Sequence, residues 1–173
     1  METERLVLRQ WTDSDRDPFA ELNADPVVME HFPATLSRAE SDAFVDRHAA
    51  IIAERGWGLW AVEVRATGAF IGFTGLMVPV FDADFVPCVE IGWRLAADSW
   101  GQGYATEAAN AVLRHAFDEI GLDDVVSFTY VGNDRSRRVM EKIGLTERLE
   151  FDHPNIPGDP VERHVLYGRS ADR

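Results

Sequence analysis

Cysteine is nearly missing from this chain: among 173 residues there is one, Cys88. An internal disulfide is thereby excluded, and with it the stapled class of small secreted folds. Cys88 lies in an apolar stretch with no histidine or base motif beside it. That is the setting of an inert thiol rather than a nucleophile. Positive charge is also scarce: Lys plus Arg number 17 against 30 Asp plus Glu, a formal net charge of −13. Broad binding to nucleic acid needs basic clusters that displace counterions, so it is not expected. An acidic surface favours solubility and attracts cations such as amines. No apolar run approaches the roughly 20 residues that span a bilayer, so no membrane association is expected. The opening Met1-Glu2-Thr3-Glu4-Arg5 is charged, which argues against a signal peptide and for a cytoplasmic protein. No metal is expected. Repeats, low-complexity tracts and linkers are missing as well, and this length suits one domain over residues 1–173.

What is present is a succession of short amphipathic elements. Arg5-Leu6-Val7-Leu8-Arg9-Gln10-Trp11 alternates as a strand does. Residues 13–23 read as a short helix with an acidic start, broken by Asp25-Pro26. Ser37-Arg38-Ala39-Glu40 is a capping box that opens a helix to about Arg55, stopped by Gly56. Its expected apolar stripe is Ala43, Phe44, Ala50 and Ile51. Strands are predicted over 59–64 and 69–78, with Thr67-Gly68 between them, and over 88–95 after a loop containing Pro79, Asp82, Asp84 and Pro87. A helix is predicted over 103–120, a strand over 125–131, and a helix from its cap Asn133 to Ile143. Strands over 147–151 and 161–168 close the chain. This order predicts an α+β sheet with helices on both faces, and a parallel right-handed crossover between 89 and 131.

The densest chemical signal is Trp100-Gly101-Gln102-Gly103-Tyr104-Ala105-Thr106-Glu107-Ala108. A strand leads through Gly-x-Gly straight into a helix. Free N–H groups and the positive end of the helix dipole would face whatever anion occupies such a loop. The glycines let the backbone approach it closely. Alone, the motif is equally a tight turn. A P-loop would carry lysine and Ser/Thr after the glycines, where Tyr104 and Ala105 stand.

Two further segments sharpen it: Glu90-Ile91-Gly92-Trp93-Arg94-Leu95 before the loop, and Asn133-Asp134-Arg135-Ser136 through Met140 to Gly144 after it. Together, in this order, they resemble the Gcn5-related N-acetyltransferase (GNAT) superfamily. The likeness is greatest to the branch that acetylates the N-termini of ribosomal proteins, a branch that also holds acetyltransferases of small amines. The opening strand resembles that branch too. The resemblance implies a single-domain GNAT fold: a central mixed, mostly antiparallel sheet, splayed at the acetyl-coenzyme A cleft, with helices on both faces. It implies acetyl-coenzyme A as cosubstrate and an amine as acceptor.

By the same resemblance, the pyrophosphate would sit on the backbone of Gly101, Gln102, Gly103, Tyr104, Ala105 and Thr106. Trp100 stands where the superfamily usually has Gln or Arg. Trp93, Arg94 and Leu95 would run along the pantetheine arm, with a backbone N–H polarising the thioester. Asn133 would cap its helix and contact the arm, and Arg137, with Arg135 and Arg138, could hold the anionic coenzyme. Glu90, a carboxylate in an apolar strand, is the candidate general base. Ser136 is the candidate acid for the leaving thiolate, because Met140 cannot donate a proton. Trp11, Phe32, Trp57, Trp60, Phe85 and the loop 79–87 are candidate acceptor walls, and Glu30, Asp82 and Asp84 could attract a cation. A coenzyme-binding domain without catalysis is the alternative. Base rates allow a homodimer, but no interface signature is legible.

Overall fold

The computed structural model describes residues 1–171. A seven-stranded sheet runs in the order β1-β2-β3-β4-β5-β7-β6. Its strands are β1 (Leu6–Arg9), β2 (Leu59–Val64), β3 (Ala69–Met77), β4 (Glu90–Leu95), β5 (Asp124–Tyr130), β6 (Thr146–Asp152) and β7 (Arg163–Ser170). Every neighbouring pair is antiparallel except β4 and β5. The helices are α1 (Arg16–Ala24), α2 (Arg38–Arg55), α3 (Tyr104–Arg114) and α4 (Asp134–Lys142). The expected α+β architecture is therefore present, including the parallel crossover through α3.

The sheet is coated on both faces because its strands carry two apolar sets. Leu6, Leu8, Val62, Leu76 and Ile91 pack under α3, whose Ala108, Val112 and Leu113 face them. Trp11, Leu59, Ala61 and Phe73 pack under α1 and α2 with Phe19, Leu22 and Val45. Burial on both faces explains why these strands read as near-continuous apolar runs. The Trp11 indole donates to the Leu59 carbonyl at 2.7 Å, which lets a polar-tipped ring sit inside that core.

Several boundaries and one face differ from expectation. β4 begins at Glu90, because Pro87 follows a cis peptide bond and lies in the preceding loop. After Arg114, α3 widens into a π-helical turn, His115–Glu119, in which Ile120 N–H donates to the His115 carbonyl at 3.0 Å. On α2 the buried positions are Ser41, Val45 and His48, whereas Ala43 and Ala50 face solvent. The apolar pairs misled there because the helix turns polar Ser41 inward to meet Asn23 of α1, whose Nδ2 donates to Ser41 Oγ at 2.9 Å. Among the described residues, no helix is long and apolar enough to cross a membrane.

Candidate active site

The parallel seam is where the sheet opens. β4 and β5 share a single register pair, Glu90 with Val126, and the Val126 N–H donates to the Val89 carbonyl at 2.9 Å. Beyond that pair the strands part, leaving a cleft of about 810 Å³. The Ala96 N–H turns to Ile71 of β3, so alternation turns the N–H groups of Trp93 and Leu95 away from β3, toward the gap. Among the described residues, the gap is the one place in the sheet interior where extended backbone lacks a partner strand, and it is the place an elongated ligand would fill.

At the mouth of the gap stands the glycine loop. Gly101 (φ +74°) and Gly103 (φ +82°) both adopt the left-handed conformation, which other residues reach only at a cost. Gly103 caps α3, and its carbonyl accepts from Glu107 N–H at 3.0 Å. No N–H group from 101 to 106 donates to an acceptor among the described residues. Arg5 braces this loop from β1's side: Nη1 donates to the Gln102 carbonyl at 2.9 Å, and Nη2 pairs with Glu107 at 2.7 Å. Its guanidinium also covers the Tyr104 ring at 4.7 Å. The Trp100 indole donates to the Leu95 carbonyl at 2.8 Å, and Arg135 lies over its ring at 4.3 Å. A rigid rim of unpaired N–H donors at a helix start, with Arg135 and Arg138 lining the same cleft, fits a diphosphate.

Deeper in, Glu90 is almost fully buried, and burial alone pushes its carboxyl up to about 8. Its Oε1 leans over Gly92, 3.9 Å from where a β-carbon would stand. Across the gap, α4 is capped by Asn133, whose Oδ1 accepts from Ser136 N–H at 3.2 Å while its Nδ2 donates to Thr129 Oγ1 at 3.0 Å. The Ser136 side chain lines the cleft beside buried Met140. The far wall is aromatic: Phe81 and Phe128 rings lie 5.7 Å apart, and His153 and His164 lie 5.0 Å apart behind them. Burial first, and then His164 beside it, lowers His153; burial likewise lowers His164.

Comparison with known proteins identifies the family. Residues 5–146 match the Acetyltransferase (GNAT) domain family. The chain belongs to the GNAT family of acetyltransferases. It is 34% identical over 146 residues to YkkB of Bacillus subtilis, an uncharacterized protein, covering 83% of each chain. An acetyltransferase structure from Bacillus anthracis superposes with a TM-score of 0.82 at 24% identity, covering 98% of this chain and 97% of that one. RimL, a ribosomal L7/L12 α-N-protein acetyltransferase solved with coenzyme A, superposes with a TM-score of 0.78 at 17% identity, covering 98% and 96%.

Within this GNAT domain the cleft brings together Glu90, Trp93, Arg94, Leu95, Trp100, Gly101, Gly103, Tyr104, Ala105, Thr106, Asn133 and Ser136. Two expected residues lie elsewhere. Arg137 turns to β7 and β6, where it donates to Tyr167 Oη and Glu147 at 3.3 Å each and to the Val131 carbonyl at 3.1 Å. Arg135, two residues before it, and Arg138, one residue after it, face the cleft instead. The Gln102 side chain folds back on the Asp98 carbonyl at 3.2 Å. Of the expected acceptor walls, Phe32 and Glu30 line the cleft with Pro79, Val80 and Phe81, whereas Trp11, Trp57, Trp60, Phe85, Asp82 and Asp84 do not. Trp11 and Trp60 belong to the two cores. Sequence reasoning missed Arg5, which reaches the loop across 97 positions, Thr129, which meets the Asn133 cap from the end of β5, and the pair His153 and His164.

Proposed function

We propose that this protein transfers an acetyl group from acetyl-coenzyme A directly to a primary amine, a protein N-terminus or a small-molecule amine. The observation that carries this reading is Glu90: a lone, buried carboxyl with its pKa near 8, at the point where the sheet splits. An amine attacks only when neutral, and an α-amine titrates at about 8. A carboxylate of similar basicity is matched to taking its proton.

In this reading the amine nitrogen bonds to the acetyl carbon as the carbon–sulfur bond breaks. Glu90 receives the amine's proton. The Trp93 N–H, directed into the gap, stabilises negative charge on the carbonyl oxygen. The Ser136 hydroxyl protonates the departing sulfur and is reprotonated from water in the open cleft. The N–H groups of 101–106 and the α3 dipole hold the pyrophosphate.

The test is release of free thiol from acetyl-coenzyme A in the presence of a panel of amines. The expected result is amine-dependent release whose kcat/KM rises with pH through an apparent pKa near 8, where burial puts the Glu90 carboxyl. Tight coenzyme binding without thiol release for any amine would leave a binding domain and defeat the proposal.

A further inference from the structure

Arg94 is a buried cation in this cleft that acetyl transfer does not use. Its side chain leaves β4 on the face of Glu90 and Gly92, opposite Trp93 and Leu95. It is anchored from behind. Nη1 donates to Asn23 Oδ1 at 2.6 Å, and Asn23 is fully buried, fixed by Ser41 at 2.9 Å. The guanidinium lies over Phe32 at 4.3 Å and within 5.5 Å of Phe73. No carboxylate among the described residues pairs with it, and its buried Nε has no partner at all. Burial draws its pKa down to about 10, so it stays charged at neutral pH with no counter-charge to offset its desolvation.

A preformed, aromatic-backed guanidinium facing a ligand cleft is suited to planar anions. Between it and Glu90 the strand face carries only Gly92, where no side chain fills the floor. We infer that the acceptor is an amine that also bears a carboxylate, held by Arg94 while the amine lies toward Glu90. A monoanionic carboxylate balances the single charge of Arg94. A phosphate dianion would leave excess negative charge beside Glu90 and Glu30 in a partly apolar pocket. This inference rests on the acetyl-transfer reading and names the acceptor class for it.

The test pairs α- and ω-amino acids, aliphatic and aromatic, with their carboxamides, and adds the polyamine spermidine; thiol release is read for each. The expected result is at least one amino acid with kcat/KM on the order of ten- to a hundredfold above its amide, the range of a charge-assisted hydrogen bond. In Arg94→Gln that acid-to-amide ratio falls toward one, and Arg94→Lys retains part of it. Amides or spermidine used as well as or better than every acid would overturn the inference while leaving acetyl transfer standing. A high ratio that survives in folded Arg94→Gln would also overturn it, by putting the carboxylate elsewhere. If the variants fail to fold, the wild-type ratio alone decides. Coenzyme binding with no transfer to any amine would remove the acetyl-transfer reading and this inference with it.

Discussion

At the β1 edge of the sheet, Arg9 holds Asp15 through two bonds of 2.7 and 2.8 Å and Glu63 through a third of 2.8 Å. On β4, Glu90 and Arg94 lie on the same face of one strand and do not meet. In both regions an arginine leaves the sheet and bonds a buried residue of the α1 segment, Asp15 in the first and Asn23 in the second. In the first, burial works against the charge of Asp15, yet the bonds from Arg9 and Thr12 hold its pKa below the ordinary value. In the second, nothing opposes burial, so Glu90 rises and Arg94 falls. Paired charges fasten α1 to the sheet. Charges kept apart by Gly92 retain unspent capacity, one for a proton and the other for an anion. The cost of leaving them unpaired falls on stability, and the return is chemistry.

The sharpest way to break this contrast is to neutralise one carboxyl of each kind. Glu90→Gln should lower kcat on the order of a hundredfold or more at pH above 8, the scale of a lost general base. Its effect on stability has an unusual sign. A carboxyl raised from 4.5 to about 8 on folding binds more protons in the native state across that window. Wild-type stability should therefore decline as pH rises from about 4.5 to 8, and Glu90→Gln should flatten that decline. Thermal unfolding across the range checks it; parallel slopes in the two proteins would mean that Glu90 titrates normally.

Asp15→Asn should do the reverse. The carboxyl is 1% exposed and the Arg9 side chain 24% exposed, so removing one partner strands a largely buried guanidinium. A loss of about 3 kcal/mol is expected, at the lower end for buried pairs because Arg9 keeps Glu63. Denaturant unfolding measures it. Turnover per folded molecule should change little, since the pair lies outside the cleft lining. A catalytic defect as large as that of Glu90→Gln would dissolve the distinction between the two regions.

Ser136→Ala tests the other side of the gap, with a smaller effect. Water reaches the open cleft and can replace the proton donor, so kcat should fall about tenfold with coenzyme affinity nearly unchanged. Loss of affinity alone would make Ser136 a binding residue.

The paired region and the unpaired one were unequally legible in the sequence. The glycine loop, α3 and the Asn133 cap could be read directly, because their chemistry is local: a cap bonds a residue three positions on, and a loop needs only its own glycines. Glu90 was legible as a carboxylate in an apolar strand. Arg94 was legible only as a strand residue expected, by resemblance, along the pantetheine arm, and not as a buried cation, since its anchor Asn23 lies 71 positions away. The brace of Arg5 on the loop spans 97 positions. The face of α2 was misread because its inward positions include Ser41 and His48, which are polar yet buried; Ser41 meets Asn23 of α1, and His48 packs on the Phe44 ring one turn earlier. Arg137 and its neighbours differ only in helical phase, and phase at a short helix's surface is set by tertiary contacts with Tyr167 and Glu147.

Gly92→Ala makes the finest test, because it touches only the spacing between the two unpaired charges. Gly92 has no positive φ, and its added β-carbon would meet nothing closer than Glu90 Oε1 at 3.9 Å, an ordinary contact. The strand should accept alanine with stability unchanged within about 0.5 kcal/mol, as for substitutions that neither clash nor strain the backbone. The methyl group would nevertheless occupy the floor between Glu90 and Arg94. KM for the acceptor should rise severalfold while kcat changes less, since the bulk obstructs binding without removing a reacting group. Steady-state kinetics with the best amine acceptor reads the two apart. An unchanged KM would mean that the acceptor crosses the cleft above this strand, and that Gly92 keeps Glu90 and Arg94 apart without making room for a ligand.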